Sequence, residues 1–137
     1  MNPNYPFVSA RARHACEYCR APEAVFNLPF EVEHITPQAH GGETTEDNLA
    51  LSCRSCNLYK SDYVRAVDEL TRQEVSLFNP RLDAWHEHFS IVEETGEITG
   101  LTASGRATVS RLRINSVAQV EARKQWLRLG LINLSPR

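Results

Sequence analysis

"CRSCNLYK", residues 53–60, sets two cysteines three apart at the start of what reads as a helix, then follows them with an asparagine and a lysine. On a helix, Cys53, Cys56, Asn57 and Lys60 share one side. A second pair, "CEYC" at 16–19, stands upstream. In a reducing compartment two C-x-x-C knuckles read as a metal site rather than as disulfides. Each knuckle presents two thiolates to one tetrahedral ion, and Cys16, Cys19, Cys53 and Cys56 suit zinc. Two disulfides, or a four-sulfur iron site of the rubredoxin type, are the alternatives. A closed four-cysteine site leaves no position for substrate, so this metal is expected to be structural and to staple a modest core.

The insert between the knuckles holds the chemistry. "AVFNLPFEVEHI" (24–35) predicts two short strands broken near Asn27–Pro29, a hairpin. "TPQAHGGETTEDN" (36–48) predicts a loop, and "LALSC" (49–53) a short extended piece. A helix is expected over 53–70, with Ser52 as a candidate N-cap. If the hairpin packs on that helix, Glu33 and His34 face Asn57. A carboxylate and an amide oxygen suit a hard cation such as Mg²⁺ or Mn²⁺. A neutral imidazole beside them can take a proton from water. Lys60, one turn on from Asn57, is placed to meet a phosphate. Adjacent strand residues point to opposite faces, however, so Glu33 and His34 serve one site only if the chain bends there. Pro37 and the Gly41–Gly42 pair suit such a departure.

Knuckle, "EHITPQAHGG", "DNL" and "CRSCNLYK", in that order over about residues 14–65, resemble the HNH nuclease motif in its zinc-knuckle variant. Singly, each piece has an ordinary reading as a strand, turn or solvated helix residue. Jointly they are specific. The resemblance implies a ββα-metal (His-Me finger) core, within an α+β fold, and metal-dependent cleavage of phosphodiester bonds. It implies His34 as general base, Glu33 and Asn57 as ligands of the catalytic divalent ion, and Asn48 as the residue that ties the loop to the backbone near His34. Glu33 stands where aspartate is commoner, and Asn57 where some members carry histidine.

The C-terminal half differs in charge. Of the 15 lysines and arginines, seven lie beyond residue 97, against one of the 17 acids, Glu121. "DAWHEHFS" (83–90) predicts a short helix with Trp85 and Phe89 on one face. His86 and His88 are two apart and are read as surface residues. "IVEETGEITGLT" (91–102) predicts a hairpin across Thr95–Gly96, with Ile91 and Val92 opposite Ile98 and Leu101. Helices are expected over 103–115 and 116–130. Ser116 with Gln119 forms a capping box, Gly130 caps the end, and Ala118, Ala122, Trp126 and Leu129 form a core stripe. With a nuclease motif upstream, Arg106, Arg111 and Arg113, and Arg11 and Arg13 near the N-terminus, become candidates for phosphate contacts.

These readings predict one domain over residues 1–137, with a nuclease core at about 10–70 and a hairpin plus two-helix extension at about 76–137. The expected function is a DNA endonuclease with a structural Zn²⁺ and a catalytic Mg²⁺ or Mn²⁺; RNA is left open as a substrate. A zinc-stapled nucleic-acid-binding module without activity, and a rubredoxin-like electron carrier, are the competing readings. No apolar run is long enough to span a bilayer. No signal-peptide pattern opens the chain, so a cytoplasmic protein with no obligatory protein partner is expected.

Overall fold

In the computed structural model, which describes residues 1–134, the chain opens with a short helix, α1 (Tyr5–Arg11). Pro6 suits its first turn, where a missing N–H costs nothing, and Val8 is buried in the core. The first knuckle follows as a tight loop. Arg20 adopts φ 68 there, and the Cys16 amide donates to the Ala21 carbonyl at 2.9 Å.

The next strand, β1 (Glu31–His34), pairs antiparallel with β2 (Leu49–Ser52), placing His34 opposite Leu49 and Glu33 opposite Ala50. The hairpin expected within 24–35 does not form. Residues Glu23–Val25 make a 3-10 turn, Pro29 has no N–H, and the Phe30 amide is taken by the Glu23 carboxylate at 2.7 Å. The segment before β1 therefore has no ladder to offer, and β1 finds its partner across the 36–48 loop. The outer edge of β2 is covered by side chains. Glu17 exchanges two bonds of 2.9 Å with Leu51, its carboxylate accepting from the Leu51 amide and its own amide donating to the Leu51 carbonyl. Arg11 and Arg81 both donate to the Leu49 carbonyl. An edge satisfied in this way needs no third strand.

After β2 comes α2 (Arg54–Lys60). Cys53, not Ser52, is its N-cap, with its sulfur 3.4 Å from the Cys56 amide. The helix is also shorter than its composition suggests. Ser61 takes φ 50, ψ −129, and reverses the chain. Residues expected to continue the helix instead enter β3 (Arg65–Val67), which pairs with β4 (Glu74–Ser76) in a second hairpin. Asp68, in the turn, receives hydrogen bonds from Leu70 and Thr71.

A short helix, α3 (Trp85–His88), leads directly into β5 (Phe89–Val92), which pairs with β6 (Glu97–Gly100). Ile91 opposes Ile98 as expected, whereas Val92 faces Glu97 and Leu101 lies outside the strand. Two helices follow, α4 (Ala103–Arg111), capped by Thr102, and α5 (Val117–Arg128), capped by Ser116. The first ends four residues before Asn115, whose side chain instead brackets the Ile98 amide and carbonyl at 2.9 and 2.8 Å. Gly130 has φ 69, the left-handed value of a helix C-terminus.

The expected core stripe on α5 is not there. Leu129 is 71 % exposed, and the buried residue of this helix is Arg123. Its guanidinium donates to the Gly96 and Ile114 carbonyls at 2.7 and 2.9 Å. Only Trp126 of the stripe packs against the core. One apolar cluster joins α1, the knuckles, β2, Phe78, Trp85, Phe89 and Ile114. Polar contacts reinforce it: the Trp85 indole donates to the Tyr18 carbonyl, and the Phe78 amide to the Thr108 hydroxyl, both at 2.9 Å. Among the described residues no helix is long and apolar enough to cross a membrane.

Candidate active site and metal centre

The four cysteines meet. Cys16, Cys19, Cys53 and Cys56 are buried, unbridged, and their sulfurs all lie within 4.8 Å of one another. The Cys19 and Cys56 amides point at the sulfurs of Cys16 and Cys53, 3.5 and 3.4 Å away. Hydrogen bonds from the neighbouring thiols, Cys16 first, hold Cys19 well below the usual thiol range; Arg123 adds a smaller favourable charge. The same sharing pushes Cys53 and Cys56 up. Four buried sulfurs of this kind do not all ionise unless a cation joins them, and a soft tetrahedral ion such as zinc fits the set. It would be held by all four cysteines, with no open position.

His34 ends β1, half-buried, with Nε2 at 2.8 Å from the Thr44 hydroxyl. Gln38 donates to the same hydroxyl oxygen at 3.5 Å, and the second lone pair of that oxygen can accept from the imidazole Nε2–H. Asn48 organises the loop between them. Its Oδ1 accepts from the Thr36 amide at 2.8 Å, and its Nδ2 donates to the Thr36 and Glu43 carbonyls at 2.9 and 2.8 Å. Gly41 turns the chain at φ 86, and Gly42 passes so close that an added Cβ would sit 1.7 Å from the Thr36 carbonyl oxygen. The loop thus closes on backbone that only glycine allows. The sequence named Asn48 and both glycines; it did not name Thr44, one hydroxyl residue among several in a polar run.

Glu33 turns the other way, as strand alternation requires. It is 6 % exposed, accepts a hydrogen bond from Tyr18 on Oε1, and lies 3.4 Å from Lys60 Nζ on Oε2. Burial pushes its carboxyl up to about 7, against the pull of Lys60 and Tyr18. No bend brings it round to His34, and the Asn57 side-chain amide makes no hydrogen bond with it or with any other described residue. With both carboxylate oxygens engaged and a buried ammonium beside them, Glu33 and Asn57 do not fit a divalent-ion site in this arrangement. Lys60 is also placed differently from expectation. It is 1 % exposed and donates to the Ile35 carbonyl at 2.9 Å, so it holds the end of β1.

The expected phosphate-binding arginines separate into groups. Arg11 is spent on the Glu46 and Leu49 carbonyls. Arg106 clasps Asp68 with two bonds, of 2.9 and 3.0 Å, which hold that carboxyl well below the usual range. Arg13 is exposed after α1, at φ 55. Arg111 and Arg113 lie over the rings of Tyr63 and Tyr59, each 4.4 Å from the centroid. His40 pairs loosely with Asp62 at 3.7 Å, while His14 bonds Glu23 at 2.8 Å. His86 and His88 do not converge: His88 bonds Thr102. Among the described residues the cysteine quartet is the one group of histidine, cysteine or carboxylate side chains placed to hold a metal.

Residues 16–62 match the HNH endonuclease family. The matched segment runs from the first knuckle to just beyond α2, and so contains all four cysteines, His34, Asn48 and Asn57. The match supports a nuclease-type function at the level of the family. No curated protein and no solved structure matches the chain.

Proposed function

We propose that this protein is an endonuclease with a ββα-metal core formed by β1, β2 and α2, hydrolysing phosphodiester bonds of DNA with His34 as general base. One observation carries the reading: the imidazole stands at the end of β1, hydrogen-bonded to Thr44, in a loop fixed by Asn48 and by the close pass of Gly42. With its Nε2–H donating to the Thr44 hydroxyl, His34 keeps its ring plane, and the unprotonated Nδ1 is the nitrogen that abstracts a proton from water. Asn48 positions it through Thr36. A zinc ion held by Cys16, Cys19, Cys53 and Cys56 would join α2 to the first knuckle, and Lys60 holds α2 to the end of β1. A divalent ion, when bound, would supply charge stabilisation at the phosphoryl group.

Supercoiled plasmid incubated with the zinc-loaded protein tests the proposal. Nicked or linear DNA that appears only with added Mg²⁺ or Mn²⁺ is expected. Salt-sensitive binding without strand loss would favour the binding-module reading instead. Stoichiometric zinc in a colourless protein excludes the iron carrier.

A further inference from the structure

The C-terminal surface holds a feature that the HNH motif does not use. Tyr59 lies on α2, two residues beyond Asn57, and Tyr63 follows four later. Across from them, the C-terminal end of α4 brings Arg113 over Tyr59 and Arg111 over Tyr63, each 4.4 Å from the ring centroid. Unlike Arg106, Arg123, Arg11 and Arg81, neither guanidinium has a hydrogen-bond acceptor among the described residues. The Nε of Arg111 is buried and unpaired. A guanidinium flat on a tyrosine keeps its N–H edge free and loses little further freedom when that edge meets two oxygens.

Backbone geometry adds a second observation. Arg113 has φ 51, at the position after the α4 C-cap, while the Ile114 amide bonds back to the Val109 carbonyl at 3.1 Å. Glycine is the usual occupant of that site, and a side chain there carries a conformational cost. The two arginines border a groove of about 640 Å³ between α4 and the β3–β4 hairpin, lined also by Tyr63 and Arg65. Two carboxylates share it and both are engaged: Glu74 with Arg65 at 3.4 Å, Glu69 with Ser110 at 3.2 Å. Arg65 also borders a second depression that reaches Ile35 and Thr36, immediately after His34.

We infer that Tyr59–Arg113 and Tyr63–Arg111 form a phosphate track, two ring-held guanidinium forks that bind successive phosphates of a nucleic-acid backbone leading to the His34 loop. The assignment rests on the nuclease reading for its direction, and on stacking and charge complementarity for its occupant. The tyrosines are positioning residues here; the arginines make the contact.

Fluorescence anisotropy with a labelled DNA duplex of about 20 base pairs, at several salt concentrations and without added divalent ion, tests the track. Each lost phosphate contact lowers the slope of log K against log salt by about 0.9. The double variant Arg111→Ala/Arg113→Gly should therefore lose about 1.8 of slope and on the order of tenfold in affinity. Glycine suits φ 51, so its fold is expected to be kept. Tyr59→Leu/Tyr63→Leu, which removes no charge, should weaken binding several-fold, and Tyr59→Phe/Tyr63→Phe should restore it. An unchanged slope in the arginine variant, equal binding by the leucine variant, or no binding by the wild type would overturn the track. Plasmid cleavage is scored separately. Cutting with unaltered binding in the variants overturns the track alone; the expected binding losses without any cutting overturn the nuclease reading alone.

Discussion

Lys60 Nζ lies 3.4 Å from Glu33 Oε2 and donates to the Ile35 carbonyl at 2.9 Å, so the last residue of α2 grips β1 on both sides of His34. The helix that carries Asn57 and the strand that carries the imidazole are thereby held in one relation. Tyr18, from the first knuckle, bonds the same carboxylate and ties the metal staple into the contact.

Glu33 should make stability depend on pH. Its carboxyl is raised from 4.5 to about 7 in the fold. A group raised on folding favours the fold most when protonated. Its contribution is complete below about pH 4.5 and is lost as pH rises through about 7, in all on the order of 3 kcal/mol. Urea midpoints of wild type and Glu33→Gln, followed across this range with zinc saturating, should diverge in shape, the variant lacking this loss. Parallel profiles would show that Glu33 does not titrate there.

Removing the other partner should be worse at high pH. Lys60→Met leaves a buried carboxylate uncompensated, which costs roughly 3–5 kcal/mol when it is ionised. The loss should shrink in mild acid, where Glu33 takes up a proton. Denaturant unfolding of Lys60→Met at the two ends of the range checks this; a loss independent of pH would assign the effect to packing.

Much of this site was legible. The quartet could be read because knuckle spacing is set by coordination geometry, and Asn48 and the two glycines because loop closure admits few residue types. The directions of Glu33 and Lys60 were not legible, for one reason. Sequence spacing placed them near Asn57 but not the side to which each turns, and burial beside Tyr18 decided that. The partner of β1 was hidden because Glu23, seven residues away, caps Phe30. Arg123 in the core was not legible either: its acceptors, the Gly96 and Ile114 carbonyls, come together only in the fold.

Ser61 should tolerate glycine with profit. Its φ of 50 and ψ of −129 are unfavourable for a residue with a Cβ. Strain of this kind costs about 1–3 kcal/mol, part of which glycine's extra freedom in the unfolded chain offsets. Ser61→Gly should raise stability by roughly 1 kcal/mol in chemical denaturation. A destabilised variant would contradict the assigned backbone.

The zinc should behave as a staple. Chelation, or Cys53→Ser, which also alters the α2 N-cap, should unfold the matched segment, seen as loss of near-UV circular dichroism and protease resistance. Protein prepared with metal should hold one zinc per chain. A metal-free protein with native stability would remove this role.

His34 is proposed to activate the nucleophile. Single-turnover cleavage of a labelled duplex by zinc-loaded wild type and by His34→Ala, with Mg²⁺ or Mn²⁺ added, tests it most directly. Loss of a general base predicts a fall of about 10²–10⁴-fold with DNA binding and thermal stability unchanged. Equal rates for the two proteins would contradict it.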